Sequence, residues 1–201
     1  MKSRKQIKLV LSLVVFTAFL GSCEKFLEVP PKDLLTSEQH FRDKFDADAA
    51  VRGIYGKLLN LADTYVILNE LRADLLDVTD NADVHLREMN LHQVSAGNPY
   101  ADPTPFYSLI NNCNDALSNF DIMLKDLKFS QEDYMQRYSD IATLRSWLYL
   151  QLVIHYGEVP YITTAIDRVD DLDQLTDGSF PMLGIEAMVD TLVATMESLP
   201  H

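Results

Sequence analysis

The chain of 201 residues is 47% hydrophobic and carries a net charge of −13, with 30 acidic residues against 17 lysines and arginines. The apolar fraction excludes a disordered chain, and the acidic excess argues against binding to nucleic acid. With 2 cysteines the chain is not a disulfide scaffold, and its length suits a single domain.

The first residues have the pattern of a bacterial lipoprotein signal peptide. A basic start is followed by an apolar run from Leu9 to Leu20 and by a Leu-Gly-Ser-Cys motif that ends at Cys23. An apolar run of about 12 residues makes a helix of about 18 Å, too short for a hydrocarbon core of about 30 Å. We therefore predict a signal peptide over residues 1–22, lipidation of Cys23, and a mature chain that is held to a membrane by its acyl chains.

Residues 23–35 are predicted to form a lipidated, extended tether. The pair Pro30-Pro31 disfavours helix there, and such a segment would hold a folded body away from the lipid head groups. Residues 36–201 are predicted to form one helical domain, because apolar residues recur at three- and four-residue steps. The predicted helices cover residues 36–39, 46–61, 65–76, 103–124, 131–156 and 182–199.

Two of these helices carry specific expectations about packing. Gly53 and Gly56, inside the helix at 46–61, are interpreted as places where another helix packs closely, since glycine otherwise weakens a helix interior. In the helix at 65–76, three leucines are expected to share one buried face; they are Leu68, Leu71 and Leu75.

The two longest helices form the predicted core. Cys113 lies on the apolar stripe of the helix at 103–124 and is expected to be a buried, inert thiol. The stretch from Trp147 to Tyr156 is apolar nearly all round, so its helix is expected to be the central one, and Trp147 is assigned to the core. No strand pattern of any length is present, and helix pairs with unequal loops predict an all-α solenoid or bundle.

The acidic stretch from Asp77 to Asp102 is predicted to be a long surface loop with a short helix near Leu86. Its side-chain oxygens have the spacing of a calcium-binding loop, which makes the segment a metal candidate. An alanine stands where such a loop needs glycine for its turn, so the alternative is a solvated acidic loop without metal. The residues of this spacing are Asp77, Thr79, Asn81, Asp83 and Glu88.

The end of this loop holds the best candidates for contact with a ligand. Tyr100 is flanked by Asn98 and Asp102, and a ring beside an amide and a carboxylate suits sugar binding. The sequence has no phosphate-binding loop, dinucleotide-binding loop, zinc-protease motif or paired-cysteine motif, so no enzyme activity, catalytic residue or cofactor is predicted. A catalytic triad whose residues come together only in the folded structure leaves no sequence motif, so it remains an alternative.

Several blocks of the sequence together form a family pattern. One begins at Cys23 with Cys-Glu-Lys-Phe-Leu-Glu-Val-Pro-Pro and continues at residues 46–56 with Asp-Ala-Asp-Ala-Ala-Val-Arg-Gly-Ile-Tyr-Gly. Another, at residues 107–114, is Tyr-Ser-Leu-Ile-Asn-Asn-Cys-Asn. The most specific, at residues 142–160, is Ala-Thr-Leu-Arg-Ser-Trp-Leu-Tyr-Leu-Gln-Leu-Val-Ile-His-Tyr-Gly-Glu-Val-Pro. With the final helix and its terminal Leu199-Pro200, these blocks resemble SusD/RagB family lipoproteins.

The resemblance implies a surface-exposed outer-membrane lipoprotein that captures glycans or other nutrients and caps a TonB-dependent, SusC-like transporter. It also implies an all-α fold of tetratricopeptide-like helix pairs. Family members are considerably longer, so the chain resembles their N-terminal portion, and the face that the remainder would cover is expected to be apolar. Two alternatives remain: a helical-repeat scaffold that docks an envelope partner without a ligand of its own, and an envelope hydrolase with a dispersed site.

Overall fold

The computed structural model describes residues 41–166 and 180–200, and helices account for most of both ranges. The predicted signal peptide, the tether and the first short helix lie outside these described residues, as do residues 167–179. Within them, no helix combines the length and the apolarity that a membrane span requires. The prediction of an all-α fold is confirmed. The helices are α1 (Lys44–Leu58), α2 (Ala62–Val66), α3 (Val84–Asn90), α4 (Thr104–Lys125), α5 (Gln131–Tyr156) and α6 (Ile185–Glu197).

Short elements connect these helices. A 3-10 turn at Leu59–Leu61 joins α1 to α2, a π-helical turn at Ile67–Leu71 extends α2, and a second 3-10 turn at Pro99–Ala101 precedes α4. After α5, strand β1 (Val159–Pro160) pairs antiparallel with strand β2 (Met182–Leu183). This two-residue pairing fixes where the chain enters α6.

Helices α4 and α5 lie antiparallel at the centre of the fold. The phenol of Tyr134, near the start of α5, donates a 2.8 Å hydrogen bond to Asp121, near the end of α4. Arg145, further along α5, donates at 2.8 Å to Asn114, which lies earlier in α4. The paired positions therefore run in opposite directions. Helix α5 also packs against α1 and α6, which confirms its predicted central place.

Apolar side chains from α1, α4, α5 and α6 form one core. Along α4 the buried positions recur at three- and four-residue steps, as the sequence predicted. Full burial of each Leu-, Ile- or Phe-sized side chain contributes about 1.5–3 kcal/mol relative to exposure, so these helices hold together mainly through this core. The largest fully buried side chains include Met89, Phe106, Ile110, Phe120, Met123, Ile141, Leu148, Tyr149, Leu152 and Met188.

Local capping groups set the ends of α5 where the sequence predicted them. The Ser130 Oγ accepts the N–H of Asp133 at 3.0 Å, which satisfies one of the donors in the first turn. At the other end, Gly157 has a φ of 79°, and its N–H donates to the carbonyl of Val153 at 3.1 Å. A φ in this range favours glycine because glycine has no Cβ to clash with the backbone.

The interpretation of Gly53 and Gly56 as points of close helix packing is wrong. Both lie on the exposed side of α1, and a Cβ atom placed on either would meet nothing within 4 Å. The side of α1 that faces the core carries Ala47 and Ile54. Nothing in the structure requires glycine at positions 53 and 56.

The predicted helix over residues 65–76 is shorter than expected. Its helical part ends at Leu71, and Asp74 then adopts a left-handed φ of 60°, a conformation that aspartate tolerates better than most residues. Because the chain turns there, Leu75 is 72% exposed, and its predicted place on the buried face is wrong. Leu68 and Leu71 are buried as predicted.

Helix α6 begins at Ile185, later than predicted, because Met182 and Leu183 pair with β1 instead. Six apolar residues share one face of α6, and two of them, Met188 and Leu192, are buried in the core. The rest of that face is exposed, with Ile185 at 54%, Val189 at 39%, Val193 at 51% and Met196 at 36%.

Candidate functional site

A buried amide organises the loop that carries the predicted ligand contacts. Asn98 is 3% exposed, and its Nδ2 donates to the His85 carbonyl at 2.9 Å and to Glu88 Oε2 at 3.0 Å. Its Oδ1 accepts the N–H of Tyr100 at 3.0 Å. One side chain therefore joins α3 to the 3-10 turn before α4. The predicted short helix near Leu86 is confirmed as α3.

Glu88 is the second organising group of this loop. Its Oε2 accepts hydrogen bonds from the Ser95 Oγ at 2.7 Å and the Ser95 N–H at 3.3 Å, besides the bond from Asn98. The hydrogen bonds from Ser95 and Asn98 are the main reason why the pKa of Glu88 lies below its ordinary value. The carboxylate is thus ionised at neutral pH, and it accepts its hydrogen bonds from groups within the loop.

Asp102 ends the loop and caps the start of α4. Its Oδ1 accepts the N–H of Thr104 at 2.9 Å. The side chain of Thr104 is the main cause that lowers the pKa of the Asp102 carboxyl group, and this main-chain hydrogen bond is the second. Tyr100 is partly buried and packs against the core, while its phenol has no hydrogen-bond partner in the described part of the chain. Ligand contact by Asn98, Tyr100 and Asp102 stays a prediction, and Tyr100 is the one whose polar atom is uncommitted.

The residues of the calcium-type spacing take part in separate local contacts. Asp77 accepts a hydrogen bond from Asn90 at 3.1 Å, Asp83 caps α3, and Glu88 is held as described above. Across residues 41–166 and 180–200, no group of three or more acidic, histidine or cysteine side chains gathers as metal ligands would. Calcium binding stays a prediction for which this geometry provides no ligand cluster.

A second set of contacts, which the sequence did not predict, fastens the segment after α5 onto α4 and α5. This segment, residues 159–166, is called the strap. The Tyr149 hydroxyl donates to the Ile162 carbonyl at 2.6 Å and accepts the Ile162 N–H at 2.8 Å. The Asn111 amide donates to the Ile166 carbonyl at 3.1 Å and accepts the Ile166 N–H at 2.7 Å. Each side chain satisfies both main-chain groups of one strap residue.

Asn114 is the buried centre of the strap attachment. Its Nδ2 donates to the carbonyls of Ile162 and Thr164 at 3.0 and 3.1 Å, and its Oδ1 accepts from Arg145 at 2.8 Å. The signal for this attachment is the group of asparagines at residues 111, 112 and 114, because asparagine disfavours helix interiors unless its amide has a use. The sequence could not show which main chain these amides bind.

Burial shifts the pKa values of two side chains with reactive potential, Cys113 and His155. Cys113 is fully buried, and burial raises the pKa of its thiol to about 12, which confirms the predicted inert thiol. Burial, with Arg72 nearby, lowers the pKa of His155, so its imidazole is neutral at pH 7. Trp147 is partly exposed at the edge of the core that was predicted to enclose it. Cys23 lies outside the described residues.

The chain is similar to SusD-like proteins of Formosa agariphila. It is 25% identical to SusD-like protein P38 over 210 residues, which cover 98% of this chain and 37% of P38. It is 25% identical to SusD-like protein P2 over 84% of this chain, and 24% identical to SusD-like protein P25 over 77% of it. These matches cover 34% of P2 and 31% of P25, so the chain spans about a third of the length of these relatives.

No family model and no solved structure matches the chain. The sequence similarity nevertheless covers most of the chain, and the helical architecture is the one that the family pattern implied. The resemblance predicted from the sequence blocks is therefore confirmed: the chain is similar to SusD-like proteins over nearly all of its length.

Proposed function

We propose that the chain is the helical part of a SusD/RagB-type surface lipoprotein that captures nutrients by binding. The observation that carries the proposal is the similarity to SusD-like proteins over 98% of the chain, in an all-α fold. The protein would hold a glycan or another nutrient for a TonB-dependent, SusC-like transporter of the outer membrane. The proposal includes no catalytic step and no cofactor.

The membrane attachment in this proposal is a lipid on Cys23. The supporting pattern is the basic start, the apolar run and the small residues directly before that cysteine. After removal of residues 1–22, acyl chains at Cys23 would hold the protein, since each buried methylene contributes about 0.8 kcal/mol. Residues 23–35 would act as the tether between the lipid and the helical body.

The proposed ligand surface is the loop that ends at Asp102. Tyr100 would contact the ligand through its ring and its uncommitted phenol. Asn98 and Asp102 would act by holding the backbone on either side of Tyr100, through the hydrogen bonds to its N–H and to Thr104. A loop fixed in this way loses little conformational freedom when a ligand binds, which favours affinity.

Calorimetric titration of the chain from residue 24 with soluble neutral and acidic polysaccharides tests the ligand part of the proposal. We expect saturable binding to at least one of them and a loss of about tenfold or more, or about 1.4 kcal/mol, in Tyr100→Ala. Tyr55→Ala removes an exposed tyrosine from α1 and should bind like the parent chain. Binding that is indifferent to Tyr100→Ala would contradict this ligand surface.

A second function is favoured by one specific observation. The side chains of Asn98 and Asp102 already serve the loop and the α4 cap, which is what a scaffold without its own ligand would show. Such a scaffold would retain a SusC-like barrel in a pull-down without added nutrient and would give no heat with any polysaccharide. The nutrient-binding proposal predicts the heat signal.

A further inference from the structure

The C-terminal half of α5 contacts the residues that precede the proposed ligand loop. Trp147 and His155 are two four-residue steps apart, so they lie on the same side of α5. The ring centroid of Trp147 lies 5.4 Å from that of Tyr65 in α2, and the charge of Arg72 reaches the His155 imidazole. We call residues 62–72, which comprise α2, the π-helical turn and Arg72, the α2–π segment. One side of α5 therefore packs along this segment.

Two polar atoms on this side of α5 are buried without a hydrogen-bond partner among the described residues. They are the Oε1 of Gln151 and the Nε2 of His155. Gln151 is only 6% exposed and lies one four-residue step before His155. A buried polar atom without a partner weakens the contact in which it is buried. The contact with the α2–π segment therefore contrasts with that between α5 and α4, which satisfied hydrogen bonds join.

The charge that acts on the His155 imidazole has the same sign as a protonated histidine. It belongs to Arg72, which is half-buried, and burial and this charge both oppose protonation of His155. Two acids lie on the neighbouring elements: Glu70 in the π-helical turn, and Asp102, which lies near the phenol of Tyr156. Neither acid forms an ion pair with His155 or Arg72. The preference of a helix C-terminus for positive charge is therefore outweighed at His155.

These features together make the contact sensitive to acid. We propose that the contact between α5 and the α2–π segment opens at mildly acidic pH, with His155 as the group that takes up the proton. Protonation places a second positive charge beside Arg72 and leaves a buried N–H without an acceptor, so the segment separates from α5. The segment leads into the loop that ends at Asp102, so its separation would loosen the proposed ligand surface. Only this last consequence depends on the nutrient binding proposed above.

The single tryptophan of the chain reports on this contact, because Trp147 packs against Tyr65 in it. Its emission is recorded from about pH 8 to pH 5 in the chain from residue 24, without any polysaccharide. The emission maximum should move to longer wavelength as the pH falls below 6.5, the ordinary pKa of the imidazole, because separation exposes the indole to water. Far-ultraviolet circular dichroism should show that α4 and α5 stay helical over the same range.

Three variants assign the shift to its source. His155→Gln should abolish the wavelength shift, whereas His92→Asn, at an exposed histidine with a left-handed φ of 55° that asparagine tolerates, should keep it. Arg72→Gln should reduce the shift and raise the pKa of His155 in an NMR titration of its imidazole, which retains the test if His155→Gln fails to fold. The absence of a shift in the parent chain would overturn the proposal, and so would a shift that persists in His155→Gln.

Discussion

Asn98 shows how one buried amide can hold a polar loop in a single arrangement. The loop from α3 to α4 has few apolar side chains to pack, so its order depends on groups that satisfy main-chain atoms. Asn98 satisfies a carbonyl on one side and an N–H on the other, at 2.9 and 3.0 Å. The same residue type on the surface would exchange these partners for water at little net cost.

Removal of this amide should therefore destabilise the whole domain. Asn98→Ala deletes the hydrogen bonds to His85, Glu88 and Tyr100 and leaves the partly buried His85 carbonyl and Tyr100 N–H without this partner, so we expect the free energy of unfolding to fall by about 1–3 kcal/mol. Asn81→Ala changes an exposed asparagine that precedes α3 and should stay within about 0.5 kcal/mol. Urea denaturation followed by circular dichroism compares the two, and equal losses would contradict the role assigned to Asn98.

The lowered pKa of Glu88 predicts that the stability of the domain depends on pH in the acidic range. Hydrogen bonds from Ser95 and Asn98 lower its pKa in the folded state, so its contribution is present above the ordinary pKa. That contribution is lost as the pH falls below the ordinary value of 4.5 and through the lowered pKa of Glu88. Glu88→Gln should show a shallower decline of the urea midpoint over this range. A decline as steep as that of the parent chain would show that Glu88 is not a source of the acid sensitivity.

At the scale of elements, the part of the strap that follows β1 depends on side chains of α4 and α5. Its Ile162 exchanges both main-chain hydrogen bonds with the hydroxyl of Tyr149, a residue that is fully buried. The protection of one backbone amide is thus tied to one phenol oxygen.

Hydrogen exchange can measure this dependence directly. Tyr149→Phe removes the acceptor of the Ile162 N–H, so the exchange of this amide should accelerate while amides in the middle of α4 remain protected. Tyr161→Phe removes the hydroxyl of the ring that lies 4.7 Å from Tyr149 and serves as the control, since Ile162 keeps its partner. Unchanged protection of Ile162 in Tyr149→Phe would contradict the strap attachment.

Substitution of glycine by alanine should change the free energy of unfolding in opposite directions at Gly53, within α1, and at Gly157, directly after α5. Gly157→Ala forces a Cβ into a φ of 79° and should lower the free energy of unfolding by about 1 kcal/mol or more. Gly53→Ala, in a helix interior with open space around it, should raise it by about 0.5–1 kcal/mol. Thermal unfolding of both variants shows whether each substitution stabilises or destabilises the domain. A destabilised Gly53→Ala would restore the close packing that the sequence had indicated.

The ends of the helices and their buried faces could be predicted from the sequence, because both depend on residues that are close together in the chain. Ser130 and Gly157 lie at the ends of α5 where local chemistry placed them, and the stripe through Cys113 is buried. The strap was not readable, because Asn111 and Asn114 bind main-chain groups about fifty residues away. The early end of α2 was also missed, since the leucine spacing continued past the turn that the chain makes at Asp74.

At the scale of the whole molecule, the described helical body is compatible with the binding function proposed above. The thiol of Cys113 is buried, the loop before α4 is fixed by hydrogen bonds, and α6 leaves several apolar side chains exposed. Four lysines and arginines lie in the predicted signal at Lys2, Arg4, Lys5 and Lys8, so the mature chain would be more acidic than the full sequence. An acidic protein is not attracted to an anionic membrane surface, so a lipid anchor would provide the attachment instead.

The account of a surface lipoprotein is tested most directly by mass spectrometry of the membrane fraction of cells that express the chain. We predict that the first residue is Cys23 with a lipid adduct on its sulfur, that Cys23→Ser removes the adduct and retains residues 1–22, and that Cys113→Ala leaves the adduct in place. A chain that still carries residues 1–22, with an unmodified thiol at Cys23, would contradict the central claim.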